Sequence, residues 1–248
     1  MIRIKCEKDI LGIRHSCNLL SQLLKEVKNI VCEGITTKDI DAFVRTRCRE
    51  LNAKPSFLNY NGFPAAICTS PNDTVIHGIP NKRKLRSGDI ISLDCGLDCE
   101  GYFSDAAITL PVGKITSDLE LLLKVTRECL ALAVEKAVCG NRVSDISRAV
   151  YEHATKSNFG VVREYCGHGV GFSQHEEPQI PNYLCPGPSP RLKAGMVVAI
   201  EPMINAGGKD VEILNDDWTV VTCDGKCSAH FEHTIAIFAD HTEVLTAW

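Results

Sequence analysis

The chain has 248 residues, 44% of them apolar, with a net charge of −4 and a pI near 6.1. That length can bury a substantial core, and the mild acidity argues against nucleic acid or an anionic membrane as the main partner. No apolar run approaches a membrane span, and the opening Met1-Ile2-Arg3-Ile4-Lys5 has no signal-peptide pattern.

The elements follow in chain order. Ile10, Ile13, Cys17, Leu20, Leu24, Val27 and Val31 recur at spacings of three and four, one apolar face of a long helix that Gly34 is expected to stop. The stripe is too short to insist on a coiled coil, so it is expected to pack on a sheet. Thr37 is expected to cap a second helix whose Ile40, Phe43, Val44 and Leu51 face inward. Strands and turns then run from about Phe63 to Leu110. Ser117 with Glu120 reads as a capping box opening a third helix that ends near Gly140. Ser144 reads as the cap of a fourth, reaching about Asn158. Strands return through Glu201 and Glu232, and the proline-rich residues 182–190 read as a surface loop, not a linker.

The order helix, helix, sheet therefore occurs twice. Gly34, Asp39, Ile40 and Val44 have counterparts in Gly140, Asp145, Ile146 and Val150. Residues 88–94 read as a glycine, an apolar run and a strand-ending carboxylate, Asp94; residues 195–201 repeat this and end on Glu201. Each is followed by a strand expected to open with a carboxylate, Asp105 or Glu232. The pattern predicts one α+β domain over residues 1–248, made of two fused halves, about 1–112 and 113–248, with pseudo-two-fold symmetry.

Four acids embedded in apolar strand sequence are unusual, because Asp and Glu normally stay at the surface. Were they to converge within about 4 Å, each like-charged pair would cost about 4 kcal/mol even at an effective dielectric of 20. Protons or cations must then neutralise them. Two divalent ions balance four carboxylates, and His168, in a Gly-His-Gly turn between the halves, supplies an imidazole. The thirteen cysteines include no Cys-x-x-Cys, so neither a zinc knuckle nor a disulfide framework is indicated. Reduced, mostly buried thiols in a cytoplasmic protein are expected.

Seven segments in order carry a resemblance: residues 72–80 (NDTVIHGIP), 92–96 (SLDCG), 104–107 (SDAA), 166–171 (CGHGVG), 175–178 (HEEP), 200–203 (IEPM) and 231–234 (FEHT). Through them the chain resembles the type I methionine aminopeptidases, of the pita-bread fold, from its first helix to its end. The resemblance implies a central site for two divalent ions. In it Asp94 chelates one metal, Asp105 and Glu232 bridge both, and His168 and Glu201 complete the shell of the other. Such a shell suits Mn²⁺, Fe²⁺ or Co²⁺ about as well as Zn²⁺, and the resemblance also allows a monovalent cation near Asn72 and Ser228. A hydroxide shared by the two cations would attack the first peptide bond. Glu201 would carry protons, and His77 and His175 would stand beside the bound peptide as hydrogen-bond donors. Tyr60, Phe63, Cys68 and Trp218 would surround the methionine side chain, against which aromatic edges are favourable.

Two departures bear on that pocket: Gln174, where relatives often carry an aromatic residue and where it is expected to make the rim more polar, and His230, where glutamine is usual. His233 is expected to support its neighbour Glu232. The resemblance further implies release of methionine from N-termini with a small second residue. The substrates would be nascent chains near the ribosome, acted on by a compact, monomeric, bacterial-like form without an amino-terminal extension. Two rival readings share the fold. Proline-specific (Xaa-Pro) aminopeptidases use a similar shell but usually carry a further amino-terminal domain, and non-catalytic binding modules have lost their ligands, whereas all five ligand positions here are filled.

Overall fold

In the computed structural model, which describes residues 1–187 and 189–248, the first helix, α1, runs Glu7–Ile30. Pro188, inside the expected loop at residues 182–190, lies outside the described residues. The apolar stripe of α1 is buried as expected, with Ile13, Cys17, Leu20 and Val27 fully enclosed. It packs chiefly on the strands Ile90–Cys99 and Tyr102–Pro111. Gly34 is not its stop. The helix ends where Val31 turns extended, and Gly34 is a turn residue at φ +90° whose N–H reaches the Leu85 carbonyl.

The remaining helices, α2 (Thr37–Glu50), α3 (Ser117–Lys136) and α4 (Val143–Lys156), all start earlier than the nearest Ser or Thr suggests. Thr36 caps α2, and the Asp39 carboxylate accepts the Thr36 N–H at 3.1 Å. Arg142 precedes α4, and Asp145 accepts its N–H at 2.8 Å. In both, an aspartate in the first turn reaching back to the entering backbone fixes the start, and a hydroxyl is optional. Thr116 caps α3 in place of Ser117. Thr37 is engaged elsewhere, donating to the Asn81 carbonyl.

The sheet of the first half centres on Ile90–Cys99, antiparallel to Tyr102–Pro111 on one side and to Cys68–Pro71 and Lys54–Pro55 on the other. The second half repeats the plan with Val197–Ile200 between His233–Ile237 and Gly167–Gly169. The halves are joined along their acidic strands. Glu232 N–H donates to the Ala107 carbonyl at 2.9 Å, and Asp105 N–H donates to the Thr234 hydroxyl at 3.1 Å. The Thr109 hydroxyl donates to the His230 carbonyl at 2.7 Å. The duplication extends to the helix entries, where Thr36 bridges Lys84 and Arg142 bridges Arg191. The largest apolar cluster draws on both halves, including Val27 and Ile91 from one and Val150 and Ile235 from the other.

Candidate metal centre

Asp94 does not end its strand and Asp105 does not open one; both lie well inside the hairpin. The register sets their geometry. Asp94 stands opposite Ala107 and Asp105 opposite Gly96, so the two carboxylates share one face on a diagonal. Their small partners leave that face open. A Cβ at Gly96 would come within 3.0 Å of the Ser104 carbonyl and the Gln174 side chain. On the other face Leu93 and Cys95 go to the core, fully buried. Glu201 follows directly on Val197–Ile200, and Glu232 directly precedes His233–Ile237, as the repeat predicts.

His168 is gripped by its glycines. A Cβ at Gly167 would meet the Ala199 carbonyl at 2.4 Å, and one at Gly169 the Glu177 carbonyl at 2.4 Å, so only glycine admits the backbone this close. The His168 Nδ1 lies 2.9 Å from the Gly169 carbonyl oxygen, which can only accept, so Nδ1 carries a proton. Nε2 is left facing Asp105 at 3.6 Å and Glu201 at 3.5 Å. Fixing one ring nitrogen so that the other points at a cation is the usual arrangement for a ligating histidine.

Asp105, His168 and Glu232 offer ligand atoms that all lie within 4.8 Å of one another, and all three residues are buried. Burial first, then the charges of Asp105 and Glu201, pushes the Asp94 carboxyl well above the usual carboxylate range. Burial, then Asp105, Glu201 and Asp94, does the same to Glu232. Asp105 is raised by burial too, with His168 pulling the other way. Burial opposes a charge on His168, yet the Asp105 and Glu201 carboxylates facing Nε2 raise its affinity for a proton. Asp94 Oδ1, Asp105 Oδ1 and Glu232 Oε1 are buried without any hydrogen-bond partner. Buried, mutually repelling, orphaned carboxylate oxygens beside one oriented imidazole fit divalent cations of the harder kind, and no thiolate competes for them.

The centre forms the floor of a cavity of about 280 Å³. Every residue expected at the site lines it: Tyr60, Phe63, Cys68, His77, His175 and Trp218 together with Asp94, Asp105, His168, Glu201 and Glu232. Phe63 meets Trp218 edge-on at 5.2 Å. Cys68 stands opposite Asp94 across the strands, which points it into the same space. His77 holds a left-handed backbone at φ +57°, a conformation that costs of the order of 1–3 kcal/mol for such a residue and concentrates at functional sites. Its ring lies edge-on to Tyr165 at 5.6 Å. The His175 ring is 4.3 Å from that of His168, and its Nδ1 is 2.8 Å from the Tyr60 hydroxyl. Burial pushes His77 down to about 4, and desolvation by the cavity with the adjacent His168 takes His175 to about 4 although its outer edge is exposed, so each is a neutral imidazole near pH 7. Sequence reading overlooks two lining residues, Phe57 and Asn61; the Asn61-Gly62 turn signal beside Tyr60 is the clue that could have found the second.

Residues 12–239 match the model of metallopeptidase family M24. The chain belongs to that family. It is 50% identical over 247 residues to the methionine aminopeptidase of Treponema pallidum, covering 99% of this chain and 96% of that one. Its fold matches the crystal structure of the methionine aminopeptidase from Rickettsia prowazekii with a TM-score of 0.97 at 38% identity, over 100% of both chains. The prolidase from Pyrococcus furiosus matches at a TM-score of 0.80 and 22% identity, with this chain spanning 65% of it, a likeness of fold alone. The fold is therefore the pita-bread fold, with the acidic and histidine cluster at its centre.

In this M24 chain the cluster is a divalent-metal site. Three neighbours of it behave differently from expectation. Gln174 is not on the rim: it is 1% exposed, and its side-chain amide donates to Asp105. His230 is equally buried, with neither ring nitrogen hydrogen-bonded, and its Nε2 lies 3.5 Å from Glu201 Oε2. Glu201 thus has a histidine beside each of its oxygens. His233 turns away from the site, against Thr246 at 3.1 Å and stacked on Trp248 at 4.6 Å. Successive residues of an extended strand face opposite sides, so Glu232 inward sends His233 outward. Asn72 and Ser228 do meet, through the Ser228 N–H and the Asn72 carbonyl at 2.8 Å.

Proposed function

We infer that this chain is a methionine aminopeptidase, a metal-dependent hydrolase that releases N-terminal methionine from peptides with a small second residue. The observation that carries the reading is the cavity: an acidic floor with one oriented imidazole, walled by a thiol, a tyrosine and an edge-on aromatic pair. About 280 Å³ lies at the low end for a ligand site and suits one side chain rather than an extended peptide. A flexible thioether fits such a wall. The high identity to relatives of that name, over nearly their whole length, supports the same reading, whereas the proline-specific enzymes share only the fold.

Asp94, Asp105, His168, Glu201 and Glu232 would hold two divalent ions, of Co, Mn, Fe or Zn. A bound cation of this kind lowers the pKa of water toward neutrality and polarises a carbonyl oxygen. Glu201 accepts a proton from the attacking water and delivers one to the leaving amine. Its side chain is 12% exposed where that of Asp105 is 5%, so it is the more open of the two to the cavity. His175, neutral and tied at Nδ1 to the Tyr60 hydroxyl, presents Nε2–H to the carbonyl oxygen of the first residue. His77, also neutral and edge-on to Trp218 at 6.2 Å, donates from the cavity wall and crowds the second residue, which limits its size.

Residues 1–248 act as one catalytic unit of two halves. The monomer works on nascent chains near the ribosome, in a cytoplasm that keeps all thirteen cysteines reduced; all are free, and among the described residues no helix is long and apolar enough to cross a membrane. A monovalent cation could bind by backbone carbonyls near Asn72 and Ser228. The test is an assay of Met-Gly and Xaa-Pro peptides with added Mn²⁺ or Co²⁺. Methionine release supports the reading, Xaa-Pro cleavage replaces it, and silence with both metals defeats it.

A further inference from the structure

Lys5 and Glu176 form an ion pair at 2.7 Å, with side chains 1% and 2% exposed. Neither lines the cavity. A buried pair is weak evidence for stability, because desolvation offsets much of the attraction; its connections are more informative. The other Glu176 oxygen accepts the backbone N–H of Phe172 at 2.7 Å and of Ser173 at 3.1 Å. Those bonds curl residues 171–176 into a tight turn that presents Gln174 to Asp105 and His175 to His168 and Tyr60. The Lys5 stem runs beneath Gly171, where a Cβ would meet Lys5 Cε at 3.1 Å and Ile13 at 2.5 Å. Its ammonium sits 5.5 Å over the Phe172 ring. Lys5 N–H also donates to the Gly195 carbonyl at 2.8 Å, at the start of the run that ends on Glu201.

Lys5, two positions ahead of α1, therefore ties the turn carrying His175 to the run that ends on Glu201. We propose that Lys5 and Glu176 are positioning residues for the hydrolysis, setting His175 and Gln174 against the centre so that the pair governs turnover and not substrate affinity. The inference rests on the aminopeptidase reading above. Arg3 does not duplicate the role. It is 54% exposed and reaches only the amide-bound oxygen of Glu176, at 4.0 Å.

A double-mutant cycle tests this with Lys5→Met, Glu176→Gln and the two combined, and with Arg3→Met as control, assayed by methionine release from a Met-Gly peptide with Mn²⁺. Each single change should lower kcat 10-fold or more with KM within threefold, and the double should be no worse than the poorer single. Arg3→Met should retain kcat within twofold. A Lys5→Met protein that melts earlier but turns over within twofold of the parent overturns the proposal, as does an effect confined to KM. If Lys5→Met does not fold, Glu176→Gln, which keeps the side-chain volume, carries the same comparison. If the parent itself releases no methionine, the aminopeptidase reading fails, and the His175 imidazole resonances of the metal-free protein decide this inference separately: a shift in Glu176→Gln supports it, and superimposable signals sink it.

Discussion

The buried side-chain amide of Gln174 donates to Asp105, and Asp105 is one of three residues whose ligand atoms cluster within 4.8 Å. An amide in that position holds the carboxylate in one orientation. Partners of metal-binding carboxylates typically alter affinity by about 10–100-fold when removed. Gln174→Leu should therefore weaken Mn²⁺ binding 10-fold or more, measured by titration calorimetry on metal-free protein. An unchanged dissociation constant would reduce Gln174 to packing.

Metal removal should act on stability and activity together. Chelation should abolish methionine release and lower Tm, and Mn²⁺ at 100 times its dissociation constant should restore about 2.7 kcal/mol for each ion bound. Asp94→Asn separates the terms. The Asp94 carboxyl is held well above its usual range in the fold, so above the ordinary carboxylate pKa the metal-free fold must either keep a proton that the unfolded chain gives up or ionise in a buried site. Its stability is present at low pH and is lost as pH rises through that interval. The asparagine has no such loss, and its metal-free form should melt higher than the parent at pH 7 while gaining less from Mn²⁺. A lower metal-free Tm would contradict the repulsion argument.

His175→Ala should reduce kcat by about 10²-fold or more, as loss of a donor to a developing oxyanion does. Tyr60→Phe should fall in the same direction by less, because it removes only the hydroxyl that orients Nδ1. Steady-state kinetics distinguish these from a binding defect, which would raise KM and leave kcat alone.

His233 provides a pH test away from the cavity. Burial holds it down to about 4, so the folded protein stays neutral there while the unfolded chain takes up a proton below about 6.5. The stability it allows is fully present above pH 6.5 and is lost as pH falls toward 4, by at most about 1.4 kcal/mol per pH unit. Between pH 7 and 4 the parent should lose Tm relative to His233→Phe as pH falls. Parallel curves would show that His233 does not titrate in this way.

What the sequence determined by itself was the chemistry and its repetition. The stripe of α1 and the acids set in apolar runs depend on local periodicity and on the cost of burying charge, and both survive in the structure. So does the Asp39 and Asp145 correspondence, since an aspartate capping a helix start is a local interaction. The motifs identified the acidic floor, His77, His168 and His175 because each is carried on a short segment whose neighbours constrain it, whereas Tyr60, Phe63, Cys68 and Trp218 lie outside those segments and followed only from the wider resemblance. Tertiary structure alone decided where those segments meet. Asp94 and Asp105 share a face because of strand register, which no single strand encodes. Gln174 reaches Asp105 because the turn closed by Glu176 presents it, and His233 turns from the site because alternation along an extended strand sets it opposite Glu232. Lys5 finds Glu176 only after both halves close on each other, for a pairing between residues so far apart in the chain is fixed by packing and not by spacing.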